Sequence, residues 1–404
     1  MSRSASSVGT AISELARDGR GWILLLVAGG WFLSLGVRLT FPALLPYLRE
    51  AFSLGLTGAG LLVSVLWVAY ALGQLPGGIL SDRLGEGRVL FASTAICGLL
   101  VALVALAWSP VVLFGAVALF GFATAFYGPV RFTILSDIYE TRDGTAIGVT
   151  LAAGEVGNAV LPVTAGIVAA AATWRLGFGL TVPLFALVAV GILIHVPTRT
   201  SGETSAVDDL SIETLRYVLR AIGQRAILLV TAVQLLVFFA WQGFTGFYPT
   251  YLVEIKELSP ATAATLYGVF FAAGILVQPL AGAGVDRFGA KRTLPLILVV
   301  GVLGLGALPL VDSLVGLLAL TLLLSGMIGV TPITQTFLAN ALPTDMKGTG
   351  LGVLRTGFML LGATSPTIVG VLADANYFDE AFVLLAAVVA LGAVFVVMLP
   401  REKI

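Results

Sequence analysis

Residues 78–88 read GILSDRLGEGR and residues 282–292 read GAGVDRFGAKR, two charged, glycine-spaced phrases 204 residues apart in an otherwise apolar chain. The offset holds beyond them. GTAIGV at 144–149 matches GTGLGV at 348–353, Pro162 matches Pro366, Gly166 matches Gly370, and Gln74 matches Gln278. A chain that repeats itself at this interval is built from two copies of one structural unit.

Composition names the solvent of those units. Of 404 residues, 58% are hydrophobic and 11% charged, and the mean hydropathy is +1.03, whereas soluble domains are about one quarter charged. Apolar stretches of roughly 20 residues, long enough to cross a ~30 Å hydrocarbon layer as helices, recur throughout. Twelve are expected, over 21–46, 56–80, 89–108, 110–136, 145–171, 175–196, 225–252, 260–284, 291–311, 313–341, 348–373 and 378–399. Period-two alternation is absent, so these are helices rather than barrel strands. The expected fold is an all-α integral membrane protein, with twelve transmembrane helices in two pseudo-symmetric six-helix bundles. A tail over 1–20 precedes the first bundle (21–196); a linker (197–224), the second bundle (225–399) and a tail (400–404) follow. Within the linker, IETLRYVLRAIG places apolar residues at helical spacing and predicts a surface helix.

The basic residues orient the chain. With the N-terminus inside, the inner turns and tails hold 16 Lys and Arg, against Arg49, Arg175 and Lys256 outside. Both termini are therefore expected in the cytoplasm, with the protein in the plasma (inner) membrane of a prokaryotic cell. The polar N-terminal tail precedes a span too long for a signal-peptide core, which predicts no cleavage. Cys97 is alone and mid-span, excluding disulfides and cysteine-rich metal centres, and the lone His195 reads as an interfacial residue. No phosphate-binding loop, catalytic triad or metal-ligand cluster is visible, so an enzyme is not expected, nor a cofactor or a nucleic-acid partner. Two parallel repeats around a central pathway are a transporter architecture, with the substrate held near mid-membrane between them. A monomer is expected.

These features resemble the major facilitator superfamily over nearly all 404 residues. Its loop signature, Gly-x-x-x-Asp-Arg-x-Gly-x-x-Arg between helices 2 and 3, is met by Gly78, Asp82, Arg83, Gly85 and Arg88. The copy between helices 8 and 9 is Gly282, Asp286, Arg287, Gly289 and Arg292. Physically, each phrase is a tight cytoplasmic turn with its aspartate near a helix N-terminus and its arginines able to pair with acids on neighbouring helices. Such contacts can latch one conformation and break in the other. Glu86-Gly87 replaces the usual basic pair, which implies a weaker first latch. The plainer reading makes these residues positive-inside anchors. Under the latch reading, Asp82→Asn slows exchange between conformations and leaves equilibrium binding within a few fold.

Architecture does not name a substrate, so the charges inside the spans must. Arg38 lies in helix 1, Arg131 in helix 4, Glu155 in helix 5 and Arg355 in helix 11, and their mates in the repeat are Gln242, Gln335, Met359 and Leu151. The charges are departures from the repeat, as expected of a site for an asymmetric ligand. At 1.5 Å per residue Arg38 lies roughly 25 Å from the inner end, Arg131 ~9 Å, Arg355 ~10 Å and Glu155 ~16 Å. Plainer roles exist: Arg131 can pair with Asp137 or another gate acid, Arg355 can gate or snorkel, and Glu155 can stay paired with an arginine. Arg38 has no acid within a turn. A cavity with excess positive charge favours an anion, because guanidinium groups hold carboxylates bidentately. Tyr70, Tyr127, Trp241, Gln242 and Gln335 offer stacking faces and amide bonds. Glu155, the acid placed well inside a span, is the candidate coupling residue for H⁺ or Na⁺.

A narrower resemblance supports an anion. RLTFPALLPYLRE, Arg38 to Glu50, is similar to the arginine, proline and acid pattern in helix 1 of the organic anion:cation symporter branch. That resemblance implies a substrate-binding role for Arg38 and a sugar acid, dicarboxylate or related anion as cargo. Val37 and Ala123 stand where members often carry acids, which puts the usual coupling residues in doubt. Organophosphate relatives carry a helix 7 arginine where this chain has Gln242, which favours a carboxylate or sugar acid over a phosphate ester. The competing reading is a drug or metabolite exporter of the same superfamily, working as a proton antiporter. Its usual helix 5 phrase, a glycine-rich run ending in Gly-Pro, is only partly matched by AAGEVGNAVLP, into which Glu155 intrudes.

Overall fold

The computed structural model describes residues 20–200, 223–342 and 347–399. Among these, twelve helices are long and apolar enough to cross a membrane. In the first bundle they are α1 (Arg20–Phe52), α2 (Leu56–Leu84), α3 (Glu86–Ala105), α4 (Pro110–Ile138), α5 (Asp143–Ala171) and α6 (Trp174–His195). In the second they are α7 (Arg225–Glu254), α8 (Pro260–Phe288), α9 (Ala290–Leu310), α10 (Leu314–Leu338), α11 (Gly350–Asp374) and α12 (Phe378–Val397). Each falls on one of the twelve apolar stretches. The linker helix expected from IETLRYVLRAIG lies outside the described residues.

The repeat survives as geometry. Gly85 and Gly289 close the two quoted phrases with φ of +91° and +81°, and each donates its N–H to the carbonyl four residues back at 2.8 Å, Ser81 and Val285 respectively. That left-handed backbone favours glycine, which explains the residue in both copies. Ser109 and Ser313 are another matched pair: their hydroxyls accept from the N–H groups of Val112 and Gly316 at 3.3 and 3.2 Å, capping α4 and α10.

The copies differ where α10 and α11 are interrupted. α10 passes through a 3₁₀ stretch at Ser325–Gly329, and α11 restarts at Ser365 after a break. Pro366 lies in the first turn after that break, where a missing N–H costs nothing. Its mate Pro162 sits inside the unbroken α5.

Both loop phrases lie at one face of the bundle, the loop face, and contacts between the bundles gather at the opposite face. There Arg49 of α1 pairs with Glu254 of α7 at 2.5 Å. The hydroxyl of Thr367 in α11 bonds that of Ser64 in α2 at 2.7 Å. Gly60 of α2 fits against Pro366, and Gly370 of α11 against Leu56, approaches that leave no room for a side chain. α2 begins at Gly55, which offers no side-chain cap. Its cap comes from the other bundle: the Asp374 carboxylate accepts from the N–H groups of Leu56 and Thr57 at 2.8 and 2.7 Å. A carboxylate at a helix N-terminus satisfies orphan donors and complements the dipole. Removing such a cap costs about 1–2 kcal/mol. Asp374→Ala is therefore expected to shift the population toward a state open at this face by roughly five- to thirtyfold. Spin labels on Ala51 and Ile255 report it, with a longer distance gaining weight.

At the loop face the first phrase is held by the chain leaving α6. Arg199 donates to the carbonyls of Asp82 and Arg83 at 2.9 and 2.8 Å, and Gly87 donates to Thr198 at 3.2 Å. The hydroxyl of Thr200 donates to Asp137 at 2.7 Å and its N–H to Glu86 at 2.9 Å. The second phrase is tied similarly, through Lys291 to the Leu399 carbonyl at 2.8 Å beyond α12. Each loop is thus fastened to the end of its own bundle. Arg88, Asp286, Arg287 and Arg292 are exposed, while Gly78 and Gly282 are half-buried.

Candidate substrate site

α1 carries Trp31, Ser34 and Arg38 at helical spacing on one face. Arg38 is 1% exposed, and its Nε donates to the Ser34 carbonyl at 3.0 Å, which lays the side chain back along its own helix. The guanidinium carbon lies 3.9 Å from the centre of the Tyr70 ring and 5.4 Å from the rings of Trp31 and Trp67. Aromatic faces attract a cation without consuming its N–H groups. Nη2 of Arg38 indeed has no hydrogen-bond partner among the described residues.

On α7 the repeat mate of Arg38, Gln242, is also 1% exposed, and both its amide oxygen and its amide nitrogen lack partners. Buried polar atoms are normally satisfied, so two orphaned groups at repeat-related positions make these residues the candidates. Trp67 of α2 and Trp241 of α7 meet edge to face at 6.1 Å, joining the two bundles beside them. Trp241 also stacks on Phe238 at 5.7 Å and touches Phe271 of α8 at 6.4 Å, so the aromatic surface is continuous.

Arg131 of α4 is 3% exposed, with its guanidinium carbon 3.5 Å from the Trp31 ring centre and 4.1 Å from that of Phe132. One N–H reaches the Gly128 carbonyl; Nε has no partner. The alternative pairing of Arg131 with Asp137 is not found, since Asp137 accepts from Thr200. Arg355 is half-buried on α11, within electrostatic reach of Arg38, Arg131 and Tyr70. Arg38 and Arg131 thus meet at the Trp31 ring, and Arg38 also lies over Tyr70. Tyr127 is committed elsewhere: its hydroxyl donates to the Val27 carbonyl at 2.9 Å and its ring stacks on Trp31 at 6.4 Å, binding α4 to α1. Gln335 is half-buried on α10, beside Thr334, which bonds Gln234 of α7.

Trp31 escaped the sequence reading, although its position seven residues before Arg38 places it on the same helix face. It is the ring shared by Arg38 and Arg131. Each cation–ring contact is worth about 0.5–2 kcal/mol. Trp31→Leu is therefore expected to weaken substrate binding about tenfold, measured by isothermal titration against the wild type.

Glu155 bridges the bundles. Gln278 of α8 donates to one carboxylate oxygen at 3.1 Å, and Asn158, one turn on, donates to the other at 3.2 Å. Its bonds run to amides rather than to an arginine, and the second amide oxygen of this cluster, on Asn158, has no partner.

The Major Facilitator Superfamily sequence profile matches residues 26–363 and 230–404. Among curated relatives, the chain is 27% identical over 259 residues to the hexuronate transporter of Bacillus subtilis, covering 61% of this chain and 60% of that protein. It is 26% identical over 402 residues to the "Probable sulfoacetate transporter SauU" of Cupriavidus necator, covering 93% and 92%. The cis,cis-muconate transport protein of Acinetobacter baylyi is 24% identical over 403 residues, covering 95% and 93%. A crystal structure of a bacterial homologue of the human lysosomal transporter Spinster superposes with a TM-score of 0.81 at 15% identity, over 95% of this chain and 97% of that one. With twelve spans, two loop signatures and this match along its length, the chain belongs to the Major Facilitator Superfamily of transporters.

Proposed function

We propose that the protein is a secondary active transporter that moves a small organic anion, a carboxylate or sugar acid, by alternating access, coupled to H⁺ or Na⁺ in symport. One observation carries this reading: a fully buried guanidinium, Arg38, keeps a free N–H, and its repeat mate Gln242 is an amide with both ends free. A guanidinium and an amide together match a carboxylate and a neighbouring hydroxyl or carbonyl. The relatives' names, hexuronate, sulfoacetate and cis,cis-muconate, are all those of organic anions and favour the same class. The loop face is cytoplasmic on the distribution of Lys and Arg. The closure at the opposite face, through Asp374 and the Arg49–Glu254 pair, opens in the other half of the cycle. The loop phrases set the conformational equilibrium, and Glu155 couples the ion.

A thermal-shift screen of the purified protein tests the substrate class, because a ligand that binds the folded state raises its stability. Carboxylates and sugar acids are expected to raise the melting temperature, while phosphate esters and cationic drugs leave it unchanged. Stabilisation by cationic drugs alone would move the exporter reading ahead.

A further inference from the structure

Glu155 and Asn158 of α5 stand where the second copy of the repeat has Met359 and Gly362, whereas Gln278 of α8 has a glutamine mate, Gln74. The first copy thus holds two oxygen-bearing side chains, one turn apart, that the second lacks, and they meet a glutamine common to both. Gln278 donates to one oxygen of Glu155 at 3.1 Å, and Asn158 donates to the other at 3.2 Å. Asn158 is 5% exposed, and its side-chain oxygen has no partner among the described residues. An amide turned about its last torsion exchanges nitrogen for oxygen, so Asn158 and Gln278 can each offer either an N–H or a C=O to the space beside the carboxylate. An ionised carboxylate within a span is costly without a counter-charge, and the bonds of Glu155 run to neutral amides.

Resting on the symport reading above, we propose that Glu155, Asn158 and Gln278 form a Na⁺ site between the two bundles. Its ligands are the carboxylate of Glu155, Oδ1 of Asn158 and Oε1 of Gln278, an all-oxygen set of the kind hard cations take. Na⁺ has nearly the radius of Ca²⁺, whose oxygen ligands lie at about 2.3–2.6 Å. Oxygens at right angles around such an ion stand about 3.3–3.7 Å apart by the same geometry, close to the 3.1 and 3.2 Å that separate the amides from Glu155. One carboxylate balances a monovalent ion, whereas a divalent one would leave net charge inside the membrane. Glu155 and Gln278 are half-buried, which gives a hydrated ion a way in and lets water complete its shell. Once the ion leaves, the N–H faces of the same amides satisfy the carboxylate, so neither form of the site strands a polar group. A proton carried on Glu155 would use neither amide oxygen.

The test uses purified full-length protein in choline chloride at neutral pH, with NaCl or KCl exchanged for choline at constant ionic strength. Binding is read as a saturable rise in melting temperature and as retention of radioactive Na⁺. Na⁺ is expected to bind at one site per chain and about tenfold or more tightly than K⁺. Asn158→Leu keeps the volume and deletes the oxygen, and should weaken Na⁺ about tenfold or more; Asn158→Asp keeps an oxygen and should retain binding. Glu155→Gln should lose it. Size-exclusion profiles and melting temperatures in choline near those of the wild type establish that the variants are folded. Equal responses to Na⁺, K⁺ and choline overturn the proposal, as does Na⁺ binding that survives both Asn158→Leu and Glu155→Gln. Either failure leaves the organic-anion reading standing if carboxylates still raise the melting temperature, and the symport reading standing if a proton gradient drives their accumulation; absence of both responses removes those readings as well.

Discussion

Replacing Arg38 by glutamine is expected to abolish transport without unfolding the protein. Charge-assisted hydrogen bonds are worth about 1.5–3 kcal/mol each, and a bidentate pair lost at once corresponds to roughly a hundredfold or more in affinity. Lysine restores the charge but not the fork, so Arg38→Lys should recover only part of the activity. The stability effect runs the other way. In the empty protein Arg38 is a buried cation held by one backbone carbonyl and three rings, with a free N–H. Glutamine at this position copies its mate Gln242 and removes the buried charge. The variant should therefore melt at or above the wild-type temperature while uptake falls to background. A variant that melts normally and transports normally would remove Arg38 from the site.

The second large effect concerns coupling. Glu155→Gln is expected to eliminate accumulation driven by an imposed ion gradient while preserving exchange of internal for external substrate. The reason is its position: a carboxylate between the bundles, bonded to Gln278 on one side and Asn158 on the other. An ionised acid there is costly unless its bonds persist, and those to Gln278 stretch across the interface that alternating access must rearrange. Taking up a cation when the bonds break is what coupling requires. Glutamine keeps the hydrogen-bonding shape and deletes the ionisable group, so exchange, which needs no net ion movement, continues. Accumulation by the variant equal to that of the wild type would exclude Glu155 as the coupling site and place ion binding at another group. Running the assay with a proton gradient and then a sodium gradient distinguishes the two ions.

The fold could be read from the sequence because its causes are local. An apolar stretch of about 20 residues announces a span wherever it occurs, and Gly85 and Gly289 are glycines because two equivalent turns need the same left-handed backbone. Arg38 stands out in the sequence for a similar reason: a charge among apolar neighbours, far from either end of its helix, has few explanations. What escaped depends on contacts between bundles. Asp374 looks like an ordinary acid in a turn, yet its partners Leu56 and Thr57 lie more than 300 residues away in sequence. An acid deep in a span suggests an arginine partner, yet Gln278 reaches Glu155 from α8, 123 residues on. Tyr127 reads in sequence as a lining aromatic, whereas its hydroxyl donates to the Val27 carbonyl. Trp31 gave only its spacing from Arg38, and no rule of composition says that one ring will serve two guanidiniums.

The central claim, that this transporter carries an organic anion through Arg38, meets its most direct test in proteoliposomes. Take the acid giving the largest thermal shift, label it, and follow its counterflow in vesicles containing either wild-type protein or Arg38→Gln. The account predicts rapid counterflow by the wild type, competed by related acids, and none above empty vesicles for the variant. Counterflow of the acid at equal rates by both, or movement of a cationic drug with no movement of any acid, would contradict it.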